Sequence, residues 1–255
     1  MFLRSGNRID GFMRISTAIA IPLLFVCATT AIASGKPPPP PAAVPTNTFV
    51  GYAAVPVPAP ALPETVSDKL TVPTITCPAG PTNSINAGDV LWDIGGQDVE
   101  AFVKLTCNPV PSYLAETAYY APPGPPIVTG LFPVVPGNRI MATLTTKGAA
   151  STATVDDLTT HAKATTPYGP VGSGAGLFGM FCPTAWMPPA PPAPLMGTPP
   201  CTTLPSVTTP VLFGGATING KYVATFAPTP YQLTVPPPVL FPGAIGRIGR
   251  AFNIY

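Results

Sequence analysis

Four carboxylates fall within a short stretch of this chain: Asp89, Asp93, Asp98 and Glu100. Such a cluster suits paired-carboxylate acid–base chemistry or a calcium loop. Its neighbours, Asn86-Ala87-Gly88 and Gly95-Gly96, suit a solvated turn instead, and that is the expectation here. Asp156-Asp157 also reads as turn chemistry. His161 is the single histidine and has no Ser or Cys nucleophile motif beside it, so an exposed strand position is expected. Gln97 and Gln232 are the only glutamines. From Leu158 to Tyr255 there is neither Asp nor Glu, so that stretch has no carboxylate to serve as general acid, general base or hard-metal ligand.

The elements that would position these residues are short strands. Thr71–Cys77, Val90–Trp92, Ala101–Leu105 and Ile140–Thr145 are rich in β-branched and apolar residues. Ser151–Val155, Asp156-Asp157 and Leu158–Thr165 read as strand, turn and return strand. Asn219-Gly220 between Ala216–Ile218 and Lys221–Val223 is a type I′ hairpin signature. No segment after residue 34 keeps a 3.6-residue apolar period, so an all-β antiparallel sandwich or barrel is expected. The glycine-rich Gly169–Gly179 lacks GxGxxG spacing and reads as a flexible surface loop. Pro188–Pro200 reads as a stiff exposed loop between Cys182 and Cys201.

The N-terminus carries Arg4, Arg8 and Arg14, then an apolar run ending in Ala31-Ile32-Ala33. This order predicts a signal peptide over residues 1–33, with a retained membrane anchor as the alternative. Residues 34–63 are proline-rich and read as a polyproline II linker that joins no sheet. Residues 64–255 form the expected folded domain. Without residues 1–33 the formal charge falls from +2 to zero. A neutral chain has no electrostatic footprint for nucleic acid or for an anionic membrane. The expected setting is secreted, periplasmic or cell-surface, and the expected state is a monomer. After Cys27 four cysteines remain, and an even number in an exported chain favours disulfides. Of three possible pairings, Cys77–Cys107 and Cys182–Cys201 close the short loops and are preferred. No metal or cofactor is expected, because one histidine and no CxxC make a poor zinc site.

Several segments, in order, resemble the eqolisins, a family of secreted glutamic peptidases. Val66–Pro78 is similar to that family's first strand, and Trp92-Asp93-Ile94-Gly95-Gly96 to its W-V-G-[IL]-[DG]-G turn. Phe132–Ile140 resembles its F-P-V-x-P-G-D-x-I step, and Ala153–Thr160 its A-T-[VL]-x-[ND]-L-T-T turn. Ala185-Trp186-Met187 stands where the family has A-E-W-I-x-E, and Leu212–Gly220 resembles a late hairpin. The resemblance implies a concanavalin-like sandwich of two seven-stranded sheets with a concave groove, lined by Trp92, Trp186, Lys104 and Tyr119. It also implies a Gln–Glu dyad. The Gln position falls at Lys104–Thr106 and the Glu position at Pro188 or Pro189, so neither half is present and no catalytic residue is assigned. The expected function is therefore a non-catalytic pseudopeptidase that binds a peptide, a glycan or a protein. The alternative is an acid endopeptidase with a displaced dyad, Gln97 with Glu100 or Asp98. A purely structural surface protein is a third reading.

Overall fold

A computed structural model describes residues 42–46, 48–54, 65–79, 83–93, 97–121, 124–171, 174–182, 204–234, 240–246, 249 and 251–255, with residues 92 and 93 by backbone only. All belong to the unit Pro38–Tyr255. In chain order the strands are β1 Val44–Thr46, β2 Phe49–Ala54, β3 Thr65–Thr71, β4 Ile75–Thr76, β5 Asn83–Asp93, β6 Asp98–Cys107, β7 Pro111–Tyr120 and β8 Ile127–Pro133. They continue with β9 Arg139–Lys147, β10 Ala150–Asp157, β11 Lys163–Tyr168, β12 Gly174–Phe181, β13 Ser206–Val207, β14 Val211–Ile218, β15 Lys221–Tyr222, β16 Thr229–Leu233 and β17 Ala251–Ile254. A single 3-10 turn, Val223–Phe226, is the one helical element among the described residues.

The strands form two large sheets, as the sequence predicts for a sandwich. One has eight strands in the order β1-β16-β2-β12-β5-β6-β7-β8. The other has the path β11-β10-β9-β3-β14-β15, with β17 added to β14. The expected two sevens are therefore an eight and a seven. Every pairing is antiparallel except β1 with β16. The main core lies between the sheets, because period-2 alternation turns one row of each strand inward. Ile85, Leu91, Val103 and Leu105 from the eight-stranded sheet meet Val66, Leu70, Ile140, Leu144 and Phe213 from the other, all at most 1% exposed.

Three local expectations need correction. Residues 34–63 are not all spacer: the proline-free run Thr46–Ala54 supplies β2, an interior strand between β16 and β12. Aromatic and β-branched residues at Phe49, Val50 and Tyr52 override the proline-rich surroundings. The supposed loop Gly169–Gly179 contains most of β12, an interior strand that is almost wholly buried. Its glycines serve close backbone approach. Gly51, with φ at +145°, lies opposite Gly179, and a Cβ on either would come within 2.1 Å of a carbonyl oxygen on the facing strand. The strand expected over Thr71–Cys77 is divided, since β3 ends at Thr71 and Pro73 separates it from the two-residue β4.

Other expectations agree with the fold. Asn219 and Gly220 have φ of 51° and 72°, and Ile218 pairs with Lys221 across a two-residue turn. The turn expected at Asp156-Asp157 follows them instead, since both end β10 and the return strand β11 begins at Lys163 rather than Leu158; the Asp157 carboxylate still serves that turn, accepting from the Thr159 and Thr160 backbone N–H groups and from the Thr160 hydroxyl. Cys77 and Cys107 are bonded, with Cα atoms 5.3 Å apart. Closing that loop contributes about 3–4 kcal/mol on a chain-entropy argument. Cys182 is disulfide-bonded as well; its expected partner Cys201 lies outside the described residues. His161 is exposed but sits in a left-handed turn position, φ 65°, rather than on a strand.

Candidate functional site

The outer face of the eight-stranded sheet, turned away from the core, carries the sandwich's second set of buried side chains. Register places Phe49, Phe181, Asn86 and Lys104 in one row across β2, β12, β5 and β6. The next row is Tyr231, Gly51, Gly179, Gly88, Phe102 and Glu116, running from β16 to β7. Three adjacent glycines sit in this row, each too close to a neighbouring strand's backbone for a Cβ, and aromatic rings flank them. Phe102 meets Phe181 edge-on at 5.6 Å, and Phe49 meets Tyr231 at 5.9 Å. Together with Val90, Leu177 and Ala118 these rings form an apolar cluster of their own. Burial of this kind on the face opposite the core is what a ligand groove or a covered face looks like, not an ordinary solvated sheet.

At the β6–β7 end this face turns polar. Alternation along β6 sets Asp98, Glu100 and Lys104 on the same side as Phe102, while Val99, Ala101 and Val103 face the core. Glu100 is flanked by Val90 on β5 and Ala118 on β7. Burial between those neighbours, then the nearby charges of Asp98 and Glu116, hold its carboxyl well above the usual range. Glu116 is 5% exposed, and burial raises its carboxyl too, against the opposing pull of Lys104. Lys104 Nζ stands 3.7 Å from Glu116 Oε2, an ion pair too long to be a hydrogen bond. Beside Lys104, Asn86 is 2% exposed and its Oδ1 has no hydrogen-bond partner.

The expected site residues separate in space. Lys104 lies on the outer face as expected. Trp92 lies on β5 opposite Asp98 and Ala175, and its side chain is outside the description. Trp186, Pro188 and Pro189 lie outside the described residues. Tyr119 does not share this face. It has the opposite parity on β7, stacks on Tyr168 at 5.6 Å and donates to the Pro170 carbonyl. Gln97 leads into β6 and is half-buried.

The acidic cluster is not a solvated turn. Asp98 is 5% exposed on the outer face, whereas Asp89 is fully buried on the inner face of β5, so the cluster is split by the sheet itself. Sequence reasoning passed over Glu116 and Asn86. The available signal was parity: Asn86, Lys104 and Glu116 fall on one side once β5, β6 and β7 are paired in register. Among the described residues no group of three or more His, Cys, Asp or Glu could hold a metal ion, and no helix is long and apolar enough to cross a membrane.

No family model matches the chain, and no curated protein sequence does. Solved structures do match. The chain is similar to scytalido-glutamic peptidase bound to a transition state analog inhibitor, at TM-score 0.61 and 14% identity, covering 82% of this chain and 97% of that one. It is similar as well to SCP-B, a member of the eqolisin family of peptidases in complex with the tripeptide Ala-Ile-His, at TM-score 0.58 and 13% identity, with the same coverage. At that identity the likeness concerns backbone architecture. This chain has the eqolisin fold, an all-β sandwich with a second buried face on its eight-stranded sheet.

Proposed function

We propose that this is an exported eqolisin-fold protein that holds an extended peptide across the outer face of its eight-stranded sheet without cleaving it. The observation that carries the reading is the span Lys104–Thr106, where a dyad glutamine is expected: none of the three is Gln, and Lys104 among them is ion-paired with Glu116. A lysine offers charge to a ligand carboxylate or carbonyl, but no amide to share a catalytic water. The row of aromatic rings beside the glycines suits an extended chain laid along the sheet, with the one-third-exposed Lys104 as its polar handle. The signal-like order of residues 1–33, the zero formal charge of the chain without them and the Cys77–Cys107 bond support the reading of an oxidising, extracytoplasmic setting and of a monomer that engages neither nucleic acid nor membrane. A glycan or a folded protein as ligand, and a purely structural role, are outcomes of the same test.

One observation favours a second reading, acid-range hydrolysis. Burial, then the charges of Asp98 and Glu116, raise the Glu100 carboxyl, and a raised carboxyl is what a general acid needs. Incubating the purified protein with denatured casein between about pH 2 and 5 separates the two. Binding of unfolded casein without new peptide ends, weakened by Lys104→Ala, supports the first reading. Specific cleavage that disappears in Glu100→Gln overturns it in favour of the second.

A further inference from the structure

Neither reading of the outer face uses the pair of carboxyls sealed between the two sheets. Asp68 lies on β3 of the seven-stranded sheet and Asp89 on β5 of the eight-stranded sheet, at 1% and 0% exposure. Alternation turns both inward, Asp68 between Val66 and Leu70, and Asp89 between Ala87 and Leu91. Their side chains interact with one another across the sandwich. Neither carboxyl has another side-chain partner, so all four oxygens are unpaired unless a proton lies between them.

Everything packed around the pair is uncharged. Ala142 of β9 lies beside Asp68, and buried Ala216 marks the β14 bulge opposite β3. Phe178 of β12 and Ala101 of β6 flank Asp89. The other buried inward carboxyl, Asp157 at the end of β10, is occupied by its own turn. No Lys, Arg or His contributes to either group. Two ionised carboxylates in such a place would repel in a low dielectric, and two apolar residues would be the usual occupants. The small side chains of Ala101, Ala142 and Ala216 leave room for the carboxyls.

We propose that Asp68 and Asp89 are a proton-dependent latch between the two sheets: one shared proton makes an acid–carboxylate hydrogen bond that closes the sandwich, and release of that proton to water leaves two like charges that open it. In the closing step one carboxyl O–H donates to the other's oxygen. In the opening step the proton leaves to solvent and no other bond changes. Burial raises Asp68 to about 7 from an ordinary 3.8. Burial, then the charge of Asp68, raises Asp89 well above the same value. A group that binds its proton more tightly folded than unfolded stabilises fully below its unfolded value. That stability is lost as pH rises through the folded one. The window therefore opens near 3.8 and extends through about 7.

The test is urea unfolding of the wild-type protein at steps from about pH 4 to pH 8, beside Asp68→Asn and Asp89→Asn. The wild-type unfolding constant should rise by about tenfold per pH unit for each proton released. Either Asn variant removes one titrating group and supplies an amide donor, so its slope should fall by about one proton. Identical slopes in all three proteins would overturn the latch. Should a variant not fold, carbon-13 titration of the aspartate carboxyls in the wild type decides. The Asp68–Asp89 pair should still hold a proton above about pH 6, and titration of both carboxyls near the ordinary aspartate value would overturn the proposal.

Discussion

Strands β5 and β6 carry carboxyls on both faces, and the two faces treat them differently. Inward, Asp89 is fully buried beside Asp68 and apolar side chains, and no Lys, Arg or His among the described residues contributes to it. Outward, Glu100 and Glu116 are desolvated too, but Lys104 stands beside Glu116 and is one-third exposed. Burial raises the carboxyls in both places. Only the outer ones have a counter-charge and an edge open to solvent, which is the difference between a sealed proton site and one that a ligand can address.

The comparison can be broken most forcefully at the glycines. Gly179→Val on β12 would drive a side chain into a backbone carbonyl 2.1 Å from its Cβ. It should cost more than about 4 kcal/mol or prevent folding, read as loss of the cooperative urea transition. A second test asks whether the outer cluster is as well packed as the inner one. Phe213→Ala between the sheets and Phe102→Ala outside should each cost about 3–5 kcal/mol in urea midpoint measurements. A much smaller outer value would mean that the outer face is a groove only partly filled.

Glu100→Gln sharpens the electrostatic side. Its carboxyl is raised in the folded state, so the wild type loses stability as pH climbs through that raised value. The amide does not ionise, so the variant should match wild type to within about 0.5 kcal/mol in acid and unfold at a higher temperature than wild type at higher pH. A variant that tracks the wild type at every pH would show that Glu100 is solvated. The smallest effect is expected from Lys104→Met. The pair is long and partly exposed, so its loss should change stability by less than about 1 kcal/mol. NMR titration should still show Glu116 moving further upward once its cation is gone.

Much of the architecture was legible in the sequence because local chemistry and fold agree where turns are made. Asn219-Gly220 needs two positive φ angles and has the residues for them. Asp157 caps its own turn. What escaped was parity and context. The run Ser84-Ile85-Asn86-Ala87-Gly88-Asp89 alternates small, polar and apolar residues on both sides, so nothing local says that Asp89 points inward. Gly169–Gly179 looks like a loop in composition, and most of β12 falls in it because Gly51 on β2 and Gly179 on β12 let the two strands approach closely. The aromatic row is legible only once four strands are in register.

The place of β2 within the eight-stranded sheet has a practical edge. It pairs with β12 on one side and β16 on the other, although it belongs to a stretch that looks like dispensable stalk. A protein that began at residue 64 would keep its Cys77–Cys107 bond and its hairpins, yet would leave one border of β12 unpaired and β16 without either of its partners. Such borders recruit any extended chain that reaches them. Removing the stalk to improve solubility would then have the opposite result, with filaments or mixed oligomers, and a synthetic peptide spanning Phe49–Ala54 supplied in trans would be the natural remedy.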